Sequence, residues 1–363
     1  MADARGGYTV DRWARSTLVR AGLLATLACH GSHDTANSPS DRNVDNAMST
    51  AFEWYPSLTG PTNLPMKALQ GAFTLRDGKK IGLPTEATVD QGWGEPGDTE
   101  LREPQFKGVP VRVDVLWFSY AEDAFYRASL ALPDAVIEPL LAGEYAVPTP
   151  AGTAKYDGIV VGLAPEGIMS VWVTGPGQRR RVAQGTGSRE SADWKTYHPD
   201  MAISREQHIS NELSRRLGAD ALAALRRAPV TGAFWRDAGI SRTLQPVITG
   251  ATTVEQVTWR FADGETEQLL GKAAMAPEAR PRSVPTGASV TFSLAGGIRY
   301  RAEVSLNAPT MLALAQKLAG DRTDAPLVVS VDVSGAPGRI TASARSRETL
   351  VPLQGVRFEI EQR

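Results

Sequence analysis

Cysteine is almost missing from this chain: Cys29 is the one thiol among 363 residues. A single thiol excludes an internal disulfide, so the core has to hold by burial alone. Histidine is nearly as scarce. His30, His33, His198 and His208 are the four present, and their spacing fits neither a zinc site nor a His-Glu-x-x-His helix. An excess of charge of one sign is also lacking, since 39 basic residues face 40 acidic ones for a formal net charge of −1. That balance excludes a global field able to hold nucleic acid. No Gly-x-Ser-x-Gly elbow occurs, and Gly162 and Gly167 form neither a phosphate-binding nor a dinucleotide loop, because they lie in a hairpin that opens no helix. No nucleophile and base pair up in the sequence, so no enzyme activity and no cofactor are expected.

Glycine and proline, by contrast, are plentiful at 34 and 24, which points to many turns and a strand-rich fold. The apolar fraction of 42% is ample for a packed core, and a chain this long suggests two domains of roughly 100–200 residues each. The amino terminus has a composition of its own. Arg12, Arg15 and Arg20 precede the apolar run Ala21–Ala28, a pattern that predicts a signal peptide over residues 1–28. The run is too short to cross a bilayer. Cys29 then stands where a bacterial lipoprotein carries its lipidated cysteine, although Thr26 departs from the usual leucine. His30, in place of an aspartate, directs such a lipoprotein to the outer membrane. The polar stretch to residue 50, rich in Ser, Asn and Asp, is expected to be a flexible tether from 29 to 50. The expected location is therefore the periplasm, with the chain held to the outer membrane through Cys29.

Beyond the tether, a first α+β domain is predicted over 51–230. Its centre is Tyr156–Gly177, where two apolar runs, Ile159–Leu163 and Ile168–Thr174, flank the turn Ala164-Pro165-Glu166-Gly167. Neither run alternates polar with apolar, so the hairpin belongs inside a sheet rather than at its wet edge. Val111–Tyr120 and Phe125–Leu132 read as strands, and Trp117 and Trp172 as core residues. Pro133-Asp134 opens a short helix that Pro139 should kink or shorten. From Ser204 the apolar period becomes helical, giving a helical extension over 201–228 with Ser204 as cap and His208 on a solvated face.

The last third repeats the middle. Phe73–Gly78 answers to Trp259–Gly264, Val111–Trp117 to Ala288–Leu294, and Tyr126-Arg127-Ala128 to Tyr300-Arg301-Ala302. The helix capped by Asn307 repeats the one at Pro133, and Leu327–Arg345 repeats the hairpin. These matches in one order predict a second, degenerate copy over 240–363. The fold class expected is thus α+β, with two tandem, duplicated domains, each a mainly antiparallel sheet with a packed helix.

The run Tyr156-Asp157-x-Ile159-x-Val161-Gly162-Leu163-Ala164-Pro165-x-Gly167, followed by Trp172 and Gly175-Pro176-Gly177, resembles a proteobacterial domain of unknown function found in predicted envelope lipoproteins. Gly92-Trp93-Gly94, Trp117–Tyr120 and Phe125-Tyr126 fit the same pattern, and the resemblance covers roughly Ala51 to Gln184. Family members have no established enzyme activity. Some lie beside type VI secretion effectors with lipase-like domains, which implies a periplasmic immunity protein that binds and neutralises such a toxin. The alternative is a structural or ligand-binding envelope lipoprotein without a toxin partner. Trp93, with Glu95, Asp98 and Glu100 around it, has the composition of a partner-binding hot spot. The same composition also fits a loop tucked onto the sheet by its tryptophan. The basic run Arg179-Arg180-Arg181 is expected to be a solvated strand end.

Overall fold

The computed structural model describes residues 51–85, 87–97, 105–319 and 326–363. The first half runs β1 (Phe52–Glu53), β2 (Tyr55–Thr59), β3 (Met66–Leu75), β4 (Lys80–Gly82), β5 (Thr88–Val89), β6 (Phe106–Lys107), β7 (Pro110–Ser119) and β8 (Ala124–Ala131). It continues through α1 (Asp134–Ala142), β9 (Glu144–Ala146), β10 (Thr153–Lys155), β11 (Gly158–Leu163), β12 (Ile168–Gly175), β13 (Gln178–Thr186) and β14 (Ser188–Glu190). Helices α2 (Trp194–Tyr197), α3 (Arg205–Arg216), α4 (Ala219–Arg227) and α5 (Ala233–Ala238) follow. The second half contains β15 (Arg242–Thr249), β16 (Thr253–Phe261), β17 (Thr266–Leu270), α6 (Gly271–Met275), β18 (Arg280–Arg282) and β19 (Pro285–Ser293). It ends with β20 (Arg299–Ser305), α7 (Ala308–Ala319), β21 (Leu327–Asp332), β22 (Thr341–Ser346), β23 (Thr349–Pro352) and β24 (Arg357–Gln362). The fold is α+β, mostly sheet.

Strand alternation builds the first core. Along β7, Arg112 and Asp114 pair with each other outside while Val113, Val115 and Trp117 point inward. They meet Ile159, Val161 and Leu163 of β11, with Ile137 and Leu141 of α1 closing the end. Each such side chain, once fully buried, stabilises by about 1.5–3 kcal/mol. One layer is β2-β11-β12-β13, in which β2 lies parallel to β11; the other is β14-β8-β7-β3-β4. The second half repeats that plan. β15 lies parallel to β21, which pairs with β22 and then β23, and the facing layer is β17-β16-β19-β20-β24, with α7 against their shared core.

The repetition reaches the level of register. Pro56 stands opposite Ile159 in one parallel pair and Pro246 opposite Val329 in the other. Cross-strand partners Trp117 and Tyr126 have ring centroids 5.6 Å apart; Phe292 and Tyr300, also partners, are 5.7 Å apart. The two halves nevertheless share a sheet. β13 joins β17 through Gln178–Glu267 and Arg179–Thr266, which extends the first layer into one nine-stranded sheet. The described residues accordingly form one compact unit.

The β11–β12 hairpin occupies the inner position its apolar faces require, with β2 on one side and β13 on the other. Its turn is tighter than the Pro-Gly pair suggests, because Glu166 as well as Gly167 is left-handed, at φ 57° and 77°. Glu166 is held there by its N–H on Glu122 (3.0 Å) and by an ion pair with Arg236 (2.5 Å). Helix α1 runs through Pro139 to Ala142, and Asp134 Oδ1 accepts from the Ala135 N–H at 2.8 Å. Ser204 caps α3 by accepting the Gln207 N–H (3.2 Å), and Asn307 caps α7 by accepting the Thr310 N–H (2.9 Å). With α2, α3 covers Phe118, Tyr120 and Phe125 on the outer face of the first sandwich. His208 is therefore not on a solvated face: it packs against Trp194 and Tyr120, with ring centroids 5.4 and 5.9 Å away.

Candidate functional site

The loop carrying Trp93 is pinned to the sheet at Gly92 and Gly97, on either side of the tryptophan. Thr59 Oγ1 donates to Gly92 O (2.6 Å), the Gly92 N–H to Gly60 O (3.0 Å), and the Gly97 N–H to Leu58 O (3.1 Å). These bonds turn Trp93 inward. Its ring lies edge-on to Trp172 at 4.9 Å and contacts Trp235 of α5 at 6.3 Å. Gly162 makes room for the stack, since a Cβ there would sit 2.5 Å from the Trp172 ring and 2.9 Å from that of Trp93. That requirement is physical content for the Val161-Gly162-Leu163…Trp172 signature. Trp172 Nε1 in turn donates across the seam to Asp263 O (3.1 Å).

The basic run is where the two halves lock. Far from being a solvated strand end, Arg179 is buried and Arg180 and Arg181 are half-buried, because β13 is an interior strand once β17 pairs with it. Arg179 bonds Glu95 (2.8 Å) and Gly264 O (2.9 Å). Arg180 reaches Glu267 at 3.2 Å; Arg181 lies 3.7 Å from Asp263 and donates its backbone N–H to Glu265 (2.9 Å). Glu267 also receives Arg280 (2.6 Å) and Arg282, so one carboxylate serves three guanidiniums.

Burial sets the charge states here. Asp263 is 2% exposed; desolvation, reinforced by Glu265, pushes its carboxyl up to about 7 against the pull of Arg181. Burial would raise Glu267 too, but Arg282, Arg280 and Arg180 outweigh it and hold that carboxyl below its ordinary range. Desolvation draws the Arg282 guanidinium down.

Of the residues singled out in the sequence, Trp93 and Glu95 therefore come together at the seam, Trp93 half-buried and Glu95 exposed while paired with Arg179. Asp98, Glu100 and Cys29 lie outside the described residues. Trp235, Asp263 and Glu267 join the seam without having stood out in the sequence. A signal existed for the last two, because Asp263, Glu265 and Glu267 place three acids within five residues, from the turn into β17, to match a basic run of three. Trp235, on a short helix, left none. Among the described residues, no three His, Cys, Asp or Glu side chains are placed to hold a metal ion, and no helix is long and apolar enough to cross a membrane. In chemical terms the seam is a rigid, ion-paired platform.

A family model described as a protein of unknown function (DUF2931) matches residues 35–225. No curated protein and no solved structure matches the chain.

Proposed function

The chain belongs to the DUF2931 family, and from that premise we propose a non-catalytic periplasmic immunity protein that binds and neutralises a type VI secretion toxin of phospholipase type. The reading includes lipidation at Cys29 and anchorage to the outer membrane, which would hold the inhibitor where an incoming toxin acts. It also includes descent of the second sandwich from the first by duplication. The shared strand order and registers support that descent. The observation that carries the binding role is the pinned Trp93 loop, which presents Glu95 and the exposed Pro96 from a backbone already fixed by the seam. A preordered loop binds a partner without the cost of immobilising it. Glu95, with Asp98 and Glu100 beyond it, would supply the acidic contacts, and Trp93 the support beneath them.

Co-expression with the product of an adjacent effector gene tests the reading. The expected outcome is a stable complex, protection of the cell from the toxin, and at least tenfold weaker binding after Glu95→Lys. Absence of both complex and protection would sink it. Altered envelope integrity on deletion, without any toxin, would favour the structural or ligand-binding alternative.

A further inference from the structure

A cavity of 460 Å³ opens beside the Glu267 cluster, between β17, α6 and β18. Leu269, Ala273 and Pro277 give it apolar lining, and Lys272, Arg280 and Arg282 give it cationic lining. Its volume is that of a small-molecule site. The charge count around it does not close. Glu267 is shared among Arg180, Arg280 and Arg282, and Arg180 has Glu265 as a second acidic neighbour. Lys272 and Glu278, both exposed on the wall, offset each other. Arg280 and Arg282 are then left with one carboxylate, a surplus of one positive charge. Arg282 is 2% exposed; its two terminal nitrogens are taken by Glu267 and by Glu278 O (3.2 Å), and its Nε is buried without a protein partner. Arg280, one-third exposed, uses one nitrogen on Glu267 and keeps further donors for a ligand. The surplus falls on half-buried Arg280 at the rim of the cavity, where an anion can reach it.

We propose that this cavity binds a small amphipathic monoanion, whose oxyanion head is taken by the free donors of Arg280, with the Arg282 charge behind it, and whose apolar part lies along Leu269, Ala273 and Pro277. A guanidinium fork takes two oxygens of a carboxylate or a phosphodiester alike. Two sources offer that chemistry, a free aliphatic carboxylate and the head of an anionic phospholipid. The site is separate from the Trp93 loop and does not depend on a toxin partner.

Isothermal titration of the full chain with decanoate, and separately with dihexanoylphosphatidylglycerol, both below their micelle concentrations, tests the proposal. Decyltrimethylammonium serves as the cationic control. Saturable one-to-one binding of either anion, without binding of the control, is expected. Decanoate alone would assign a free carboxylate, the phospholipid alone a lipid head. Arg280→Gln should weaken binding at least tenfold. Ala273→Trp, on the exposed face of α6, should do the same by filling the cavity while leaving every charge and the thermal midpoint in place. Binding of neither anion, equal binding of the cation, or binding unchanged by Ala273→Trp would overturn the proposal.

Discussion

The turn Arg76-Asp77-Gly78 and the turn Ala262-Asp263-Gly264 carry the same backbone bonds in opposite surroundings. In the first, the Gly78 N–H reaches Leu75 O at 2.9 Å and the Lys79 N–H reaches Asp77 Oδ1 at 3.0 Å. In the second, the Gly264 N–H reaches Phe261 O at 3.0 Å and the Glu265 N–H reaches Asp263 Oδ1 at 3.1 Å. The glycines share a left-handed φ, 84° and 83°. Yet Asp77 faces solvent while Asp263 is walled in by Trp172 and the arginine strand. Local sequence chooses the turn, and the neighbouring sandwich chooses its chemistry. One aspartate then contributes to stability in one direction of pH and the other in the opposite direction.

Breaking the seam should have the largest effect. Glu267→Ala leaves three guanidiniums without their shared carboxylate, and removing one partner from a buried ion cluster costs about 3–5 kcal/mol. Ala in place of exposed Asp77, the acid of the matching turn, should scarcely move the urea midpoint. A value for Glu267→Ala as small as that for Asp77→Ala would show that the cluster adds nothing. Next come the glycines. A Cβ at Gly78 meets nothing within 4 Å, so Gly78→Ala should cost only the left-handed backbone term of about 1–2 kcal/mol. A Cβ at Gly264 meets the Trp172 ring and Trp93 O, each at 3.0 Å, so Gly264→Ala should cost about 1–3 kcal/mol more by overpacking. Equal thermal shifts for the two variants would place Trp172 and Trp93 farther from Gly264.

The dependence on pH separates the two turns most sharply. The folded carboxyl of Asp263 lies near 7, above its unfolded value of about 3.9, so its protonated form favours folding. Its contribution is complete at acid pH and lost as pH rises through about 7. The bonds from Lys79 hold Asp77 below its ordinary range, so its contribution is present at neutral pH and lost as pH falls through the folded value. Asp263→Asn should flatten the stability profile between about pH 4 and 7, read by chemical denaturation at each pH. Asp77→Asn should leave that window alone and change the profile only below about pH 4.

What was legible in the sequence follows the range of the interactions. The inner position of Ile159–Leu163 showed in its missing alternation, the two Asp-Gly turns in their dipeptides, and the caps at Ser204 and Asn307 in residue type. All depend on neighbours within a few positions. Arg179–Arg181 was misread because a basic run looks solvated until β17, more than eighty residues later, pairs with it over two positions. His208 was misread likewise, since the rings that cover it come from Tyr120, just past β7, and from Trp194 of α2. Trp93 left two readings open from composition alone; the bonds that turn it inward come from β2 and Gly60 backbone.

The β13–β17 junction carries a consequence for the covalent chain itself. The link between the sandwiches passes through exposed residues Ala228 and Pro229, whereas what holds the sandwiches together is a sheet contact and interlocking side chains. A polypeptide opened at that link would keep its seam, and its two fragments, made separately, would be complementary halves able to reassemble by strand pairing and charge.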